Sequence, residues 1–321
     1  MLGTLRKLIF GISPAETTVA RRGFSVKDEK IKHHLEKIGQ IFVEGYHAAL
    51  IDPNPTALTA RLDDIETGFQ GFAYEGAAMG LTLLDILSPW RQHHLRDFLH
   101  GPGAPHAYMI QVGVGWALAR LHRPVEGWLN RLDPAVKWLA LDGYGFHEGY
   151  FDWPRTIENQ ELPHRLTGYA CRGFDQGVGR CLWFVKGADV ARIAATIATF
   201  PAARRPDLWS GVGLACGYAG GVERQVIEAL AHAAGAYHAQ LAQGVVFAAG
   251  TRQRAGNPAA HTDLACQVVC DMPLAEAAHL FELTGQDLPL SGPEPAFEVW
   301  RQRLQAEFKL EGDQIKQELA R

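Results

Sequence analysis

The sequence predicts an all-α fold, a tetratricopeptide-like array of helical hairpins, on three observations. A short Gly-rich segment recurs about every 34 residues, the size of a repeat made of two short helices and two connections. The stretches between copies, ADVARIAATIATF and RQVIEALAHAAGAYHAQL among them, show apolar residues at helical spacing. The copies themselves are rich in Ala and Gly rather than in the β-branched and aromatic residues that strands prefer. They read EGAAMGLTLLD from Glu75, VGVGWALA from Val112, DGYGFHEGYF from Asp142, QGVGRCLWF from Gln176, SGVGLACGYAGG from Ser210 and QGVVFAAG from Gln243. Their first glycines, Gly76, Gly113, Gly143, Gly177, Gly211 and Gly244, lie 37, 30, 34, 34 and 33 residues apart. A Gly inside a helix costs about 1 kcal/mol against Ala, so six recurrences imply a repeated benefit, and close approach of neighbouring helices is the simplest one.

Residues 1–24 read as an N-terminal arm. Its apolar stretch is too short for a signal-peptide core and lacks a small-residue cleavage site, so no export signal is expected. LRKLIFGI sets basic residues beside apolar ones and is compatible with peripheral attachment to the inner membrane. Residues 25–280 form the single repeat domain. Ser25 with Asp28 three residues on makes a capping box for a helix through KIKHHLEKIGQIFVEGYHAAL, and Asn54-Pro55 is an N-cap and first-turn pair for the next helix. Together these two helices cap the array as units outside the period. Ser88-Pro89 and GPGAP at 101–105 break helices between the first two copies. Beyond Cys270 the period fades. Residues 281–321 read as a linker, centred on LPLSGPEP at 288–295, followed by an exposed charged helix, AFEVWRQRLQAEFKLEGDQIKQELAR, that packs back or reaches a partner.

Composition removes several classes. Apolar residues at 47% and charged residues at 21% of 321 positions are those of a folded chain with ample core. Lys plus Arg is 31 against 35 Asp plus Glu, a net charge of −4, which offers no basic excess for a nucleic-acid partner. The five cysteines are odd in number and contain no CxxC pair, favouring a reducing, cytoplasmic location. Two uncharged runs, 101–119 and 229–251, approach the length of a membrane span. The first opens GPGAPH and the second contains His232, His238, Gln240 and Gln243, so neither is read as one.

The densest chemistry lies in LDGYGFHEGYFDW. Here His147 can act as an acid or base near neutrality, Tyr144 and Tyr150 can orient it, and Asp142, Glu148 or Asp175 can set its pKa. The competing reading has these tyrosines and the histidine fill a gap between helices with their polar tips satisfied on backbone. The polar residues ahead of the glycines, Glu75, Asp142, Gln176, Ser210 and Gln243, either line a ligand groove or simply favour helix N-termini. With Tyr74, Tyr150, Trp183 and Trp209, Glu75 and Gln176 complete the candidate substrate contacts. No metal site is read: the histidines at 33, 34, 47, 93, 94, 100 and 106 match no ligand spacing, and Cys266 and Cys270 read as small apolar residues. The GxG pairs do not extend to GxGxxG after a strand, and no GxSxG, Walker or kinase signature occurs, so no cofactor is expected.

The segments RRGF, GFAYEGAAMG, HAYMIQVGVGWALARL, LDGYGFHEGYF, FDQGVGRCLWF, RRPDLWSGVGLACGYAGG and LAQGVVFAAGTRQRAG, spread over residues 17–270, resemble the UnbL-type family, a domain of unknown function encoded beside the iterative polyketide synthases of enediyne antibiotic clusters. The resemblance implies an accessory role in turning a linear polyene into an enediyne core, alongside other proteins of the cassette, one of them a membrane protein. It supplies no catalytic residue. Two functions are therefore expected: a scaffold or binder whose concave face holds a polyene or a partner protein, or an enzyme acting on the polyene around His147.

Overall fold

The structure, a computed structural model, describes residues 2–88, 93–289 and 291–309. Those residues contain seventeen α-helices and no strand. The arm contributes α1 (Leu2–Phe10) and α2 (Val19–Arg22), and α3 (Glu29–Ile51) and α4 (Pro55–Asp63) follow. Next come α5 (Gln70–Leu87), α6 (His94–Leu99), α7 (Ala107–Arg120), α8 (Glu126–Leu129) and α9 (Leu139–Phe151). The remainder is α10 (Tyr169–Val185), α11 (Val190–Thr199), α12 (Arg205–Tyr218), α13 (Arg224–Ala234), α14 (His238–Arg254), α15 (Ala260–Val269), α16 (Leu274–Thr284) and α17 (Ala296–Glu307).

One series of helices makes the core: α3, α5, α7, α9, α10, α12, α14 and α16, each packed on the next. All six Gly-bearing segments begin inside members of this series, SGVGLACGYAGG alone running three residues past its helix, and the glycines explain the packing. Successive residues turn by about 100° around a helix, so the two glycines of GxG face nearly opposite sides. On α9, a Cβ at Gly143 would stand 1.9 Å from the Val112 carbonyl oxygen of α7, and one at Gly145 would stand 2.0 Å from the Phe174 oxygen of α10. Gly177 and Gly179 of α10 meet the oxygens of Asp142 on α9 and Leu208 on α12 at 1.9 and 2.1 Å. Gly211 and Gly213 of α12 continue the rule toward α10 and α14, as Gly113 and Gly115 of α7 do toward α5 and α9. The first glycine seats the preceding helix and the second seats the following one. Any side chain there would meet backbone, which cannot move aside.

Around the core run shorter elements. In the C-terminal half α11, α13 and α15 are amphipathic helices that bury few residues, such as Ile193 and Ile197 of α11. In the N-terminal half their places hold α4, the short α6 and α8 and a π-turn at Pro154–Glu158. Pairs of equal helices are thus not general: the core helix α5 has 18 residues and its neighbour α6 has 6.

Three local expectations change. The cap of α3 is Asp28 itself, whose side chain accepts from the backbone N–H groups of Lys30 and Ile31, and Ser25 lies outside it. Asn54 caps α4 as expected, accepting from Ala57 N with Pro55 in the first turn. The helical series does not end at Cys270, because α16 packs on α14 and α17 folds back onto both. That last helix packs back, one of its two expected placements, and is not exposed: Phe297, Trp300, Arg301 and Leu304 are buried. The rest of the expected C-terminal helix, residues 310–321, and Pro89 of the Ser88-Pro89 break lie outside the described residues. No described helix is long and apolar enough to cross a membrane.

Candidate functional site

Core helices α3, α5, α7, α9 and α10 surround a narrow apolar cavity of about 50 Å³. Its walls are aromatic. Phe42, Phe72, Trp116, Phe146, Tyr150 and Phe184 come from all five helices. The Trp116 ring lies 4.3 Å from that of Phe42 and 5.2 Å from Phe146, and Phe146 meets Phe184 edge-on at 5.1 Å. On α9 the rings of Phe146 and Tyr150 are four residues apart and stack along one helix face.

The N-terminal arm covers this cavity with Ile12, Glu16 and Thr17. Six bonds hold it there, one of them from Arg120 Nη2 to the Phe10 carbonyl at 3.3 Å. Tyr46 Oη donates to the Phe10 carbonyl at 2.8 Å, Ile12 N to His47 Nε2 at 3.2 Å, Val19 N to Glu36 Oε1 at 2.9 Å, Trp153 Nε1 to the Arg22 carbonyl at 3.0 Å and Tyr150 Oη to the Thr17 carbonyl at 3.4 Å.

The polar end of the cavity is Glu75 with Arg180. Trp116 Nε1 donates to Glu75 Oε1 at 2.9 Å. Arg180 Nη2 stands 3.4 Å from the same oxygen and 2.8 Å from Asp142 Oδ1, with its guanidinium over the Phe146 ring. Gln176 Nε2 donates to Asp142 Oδ2 at 3.0 Å. Burial pushes both carboxyls above their usual range, against the opposing pull of Arg180. For Arg180 burial acts against the charge, and the two acids outweigh it and raise its pKa. Two buried carboxyls facing one guanidinium are neutral together only when one retains its proton. Arg180 approaches Asp142 more closely and Gln176 bonds it, while Glu75 accepts from Trp116 and, at 3.4 and 3.5 Å, from Arg180, so the two acids share one proton.

From Asp142 the polar residues form a ladder across the core. Gln176 leads to Ser210, whose hydroxyl lies 3.4 Å from Gln176 Oε1 and donates to Gln243 Oε1 at 2.9 Å. Gln243 Oε1 also accepts from Arg301 Nε of α17 at 3.2 Å. The residues ahead of the glycines are therefore interior and bonded to one another, rather than an open groove edge or N-terminal polar groups; only Glu75 of the five lines the cavity.

Other candidates fall in separate places. His147 Nδ1 donates to Glu148 Oε1 at 3.1 Å, and Glu148 Oε2 accepts from Arg155 Nη2 at 2.7 Å. Its imidazole stands edge-on to Trp116 and against Phe151, behind the cavity wall. Burial lowers the His147 pKa; burial would raise that of Glu148, but His147 and Arg155 outweigh it and hold it low. Tyr144 is buried beside Phe174, and burial raises its phenol pKa. Asp175 pairs with Arg204 at 2.9 Å, away from His147 and Asp142, and burial raises its pKa to about 6. The five proposed catalytic groups thus divide among a His147–Glu148–Arg155 chain, the Asp142–Arg180–Glu75 centre and the Asp175–Arg204 pair, with Tyr144 apart.

Among the proposed contacts, Tyr150 and Glu75 line the cavity. Tyr74 instead donates to Asp63 Oδ1 at 2.7 Å and stacks on His106 at 3.8 Å, Trp183 donates to the Gly220 carbonyl at 3.0 Å, and Trp209 is buried. Sequence reasoning passed over Trp116 and Arg180 as functional groups, although Arg180 is the one charged residue in QGVGRCLWF. Among the described residues no three His, Cys, Asp or Glu side chains gather as a metal-holding group.

Residues 1–308 match the family described as Protein of unknown function (DUF1702), and the chain belongs to it. No curated protein matches the chain, and no solved structure does.

Proposed function

We propose that this member of the DUF1702 family is a binding protein for an elongated apolar ligand, which enters beneath the arm and widens the narrow cavity there. The sequence resemblance suggests its class, the linear polyene of enediyne-type polyketide biosynthesis, so that the protein serves that biosynthesis as a cytoplasmic accessory. The observation that carries the reading is the aromatic cavity with a single buried polar end. Flat rings suit a conjugated chain, which gains from apolar burial and offset stacking. Glu75, when it holds the shared proton, and Arg180 can donate to a carbonyl or carboxylate terminus. The core series is read as a tetratricopeptide-like array of six units, its curvature supplying the enclosed space. Partner proteins of the cassette, including a membrane protein, would deliver or receive the ligand.

A second reading has one favouring observation: the neutral His147, oriented by Glu148 and Arg155, touches two rings of the cavity wall. It makes the protein an enzyme with His147 as acid or base.

One experiment separates the two. Purified protein is mixed with the linear polyene released by a cognate synthase, and the polyene absorbance and product masses are followed. Binding predicts a shifted spectrum, unchanged masses and loss of the shift in Val43→Phe, which narrows the cavity. Conversion of mass that disappears in His147→Ala would replace binding with catalysis. A spectrum that wild-type protein leaves unaltered would defeat both.

A further inference from the structure

We infer that α1 docks the protein on an anionic lipid surface. The helix is amphipathic in the reverse sense, with its apolar stripe turned to solvent. Leu2, Leu5, Leu8 and Ile9 are 63%, 51%, 82% and 61% exposed, and no residue of α1 is buried. At about 100° per residue these four fall within an arc of roughly 120°. They are four of the seven large apolar side chains exposed among the described residues. A single exposed Leu needs no explanation, whereas a contiguous stripe on one helix marks a contact surface.

The opposite face fixes the orientation. Gly3 lies against the backbone of Ile51, where a Cβ would be 2.1 Å from its carbonyl oxygen. Tyr46 and Arg120 both donate to the Phe10 carbonyl, at 2.8 and 3.3 Å. The helix therefore cannot roll its stripe inward without losing these contacts.

Charge selects the occupant. Residues 2–15 contain Arg6 and Lys7 and no acid, although the whole chain is net negative. Arg6 borders the stripe, and Lys7 lies on the far side of the helix, where its charge acts on His47 of α3. A long basic side chain beside leucines suits the boundary between anionic headgroups and acyl chains, where the stem stays in apolar surroundings and the charge reaches phosphate. A protein groove shaped for the stripe would gain little from Arg6 unless it were acidic. If the cavity holds an apolar ligand as proposed above, docking also sets its cover at the lipid surface, because Ile12, Glu16 and Thr17 continue from α1.

Flotation of the full chain, without polyene, tests the docking independently of the ligand reading. Vesicles of phosphatidylcholine with phosphatidylglycerol should carry the protein upward, and vesicles of phosphatidylcholine alone should not. Arg6→Glu should lower partitioning at least about fivefold, and Lys7→Glu, on the side turned to α3, should lower it less. Leu5→Glu with Leu8→Glu should abolish it while leaving the melting temperature unchanged, since both side chains are exposed. No flotation on either vesicle, or equal flotation on both, overturns the inference. So does a dimer in sedimentation that Leu8→Glu converts to monomer, which would make a second copy the occupant of the stripe.

Discussion

Trp116 and Glu75 are 41 residues apart and meet through one hydrogen bond of 2.9 Å between the indole Nε1 and Oε1. This bond joins α7 to α5 and turns the Glu75 carboxyl toward the cavity instead of into the apolar packing. An indole N–H can only donate, so Glu75 needs an acceptor oxygen there and is free to keep a proton on the other.

Replacing Glu75 with Gln tests that protonation. Gln retains an acceptor for Trp116 and cannot ionise, so at mildly acidic pH the variant should match wild type within about 1 kcal/mol. The sign follows from the raised carboxyl pKa: the stabilising contribution is present below the unfolded value and is lost as pH rises through the folded one. Glu75→Gln should therefore become the more stable protein toward alkaline pH. Urea midpoints across that range give the answer, and parallel curves would place the proton elsewhere.

Arg180 is predicted to be the costliest single residue at the centre. Arg180→Met removes the one cation shared by Glu75 and Asp142 and leaves two carboxyls buried. Breaking a buried pair in this way costs roughly 3–5 kcal/mol at neutral pH. Lowering the pH supplies the missing protons, so part of the loss should return by mild acidification. Thermal melting at two pH values reads this directly; an equal loss at both would mean that packing over Phe146, rather than charge, is what Arg180 provides.

How far these groups are legible in the sequence depends on how local their cause is. The helices at Gly143–Gly145, Gly177–Gly179 and Gly211–Gly213 are legible because a glycine pair two apart faces both neighbours of a helix, whatever lies farther away. Trp116 is different. Its partners Phe42, Glu75 and Phe146 sit on three other helices, and only the packing of those helices brings them together. The burial of α17 lies between these cases: Phe297, Trp300 and Leu304 fall at three- and four-residue spacing, the pattern of a packed face, yet the charged residues among them conceal it. Arg301 belongs to the interior because four acceptors await it, and three of them, Tyr169, Asp207 and Gln243, come from other parts of the chain.

A glycine comparison tests the packing rule. Gly177→Ala would set a methyl group 1.9 Å from the Asp142 carbonyl oxygen and 2.7 Å from Phe146 N. Overpacking typically costs 1–3 kcal/mol, and a clash with backbone on this scale should exceed about 3 kcal/mol. Gly127, inside α8, has nothing within 4 Å of its added Cβ. Gly127→Ala should be neutral or stabilise by up to about 1 kcal/mol through helix propensity alone. Comparable denaturation midpoints for the two variants would contradict the seating role of Gly177.

Asp175 offers a pH window that can be stated. Burial is the largest influence on its carboxyl and raises it from 3.8 to about 6, with Arg204 opposing. A raised acid stabilises the fold below 3.8 and loses that contribution as pH climbs through about 6. The stability of wild type relative to Asp175→Asn should fall across this interval and then level off. Taking the difference between the two proteins cancels the titration of Glu75, Asp142 and the buried histidines. A flat difference would show that Arg204 holds Asp175 ionised throughout.

The last prediction concerns Arg301, which ties α17 to the core. Its Nη2 meets Asp207 Oδ1 at 2.7 Å, its Nη1 meets Glu298 Oε2 at 3.2 Å and Tyr169 Oη at 3.3 Å, and its Nε donates to Gln243. Arg172 completes the balance from the other side, 3.0 Å from Asp207 and 2.7 Å from Glu298, so two cations face two anions. Arg301→Met leaves the buried Asp207 and Glu298 with Arg172 alone and should cost roughly 3–5 kcal/mol. Arg301→Lys should recover little, because one ammonium cannot reach donors on both sides as the planar fork does. Loss of this anchor should also free α17 from α14 before the core melts, since the polar ladder ends on Arg301. Limited proteolysis within residues 288–295 would then proceed in Arg301→Met at temperatures where wild type resists. Cleavage at the same rate in both proteins would assign the docking of α17 to Phe297, Trp300 and Leu304 instead.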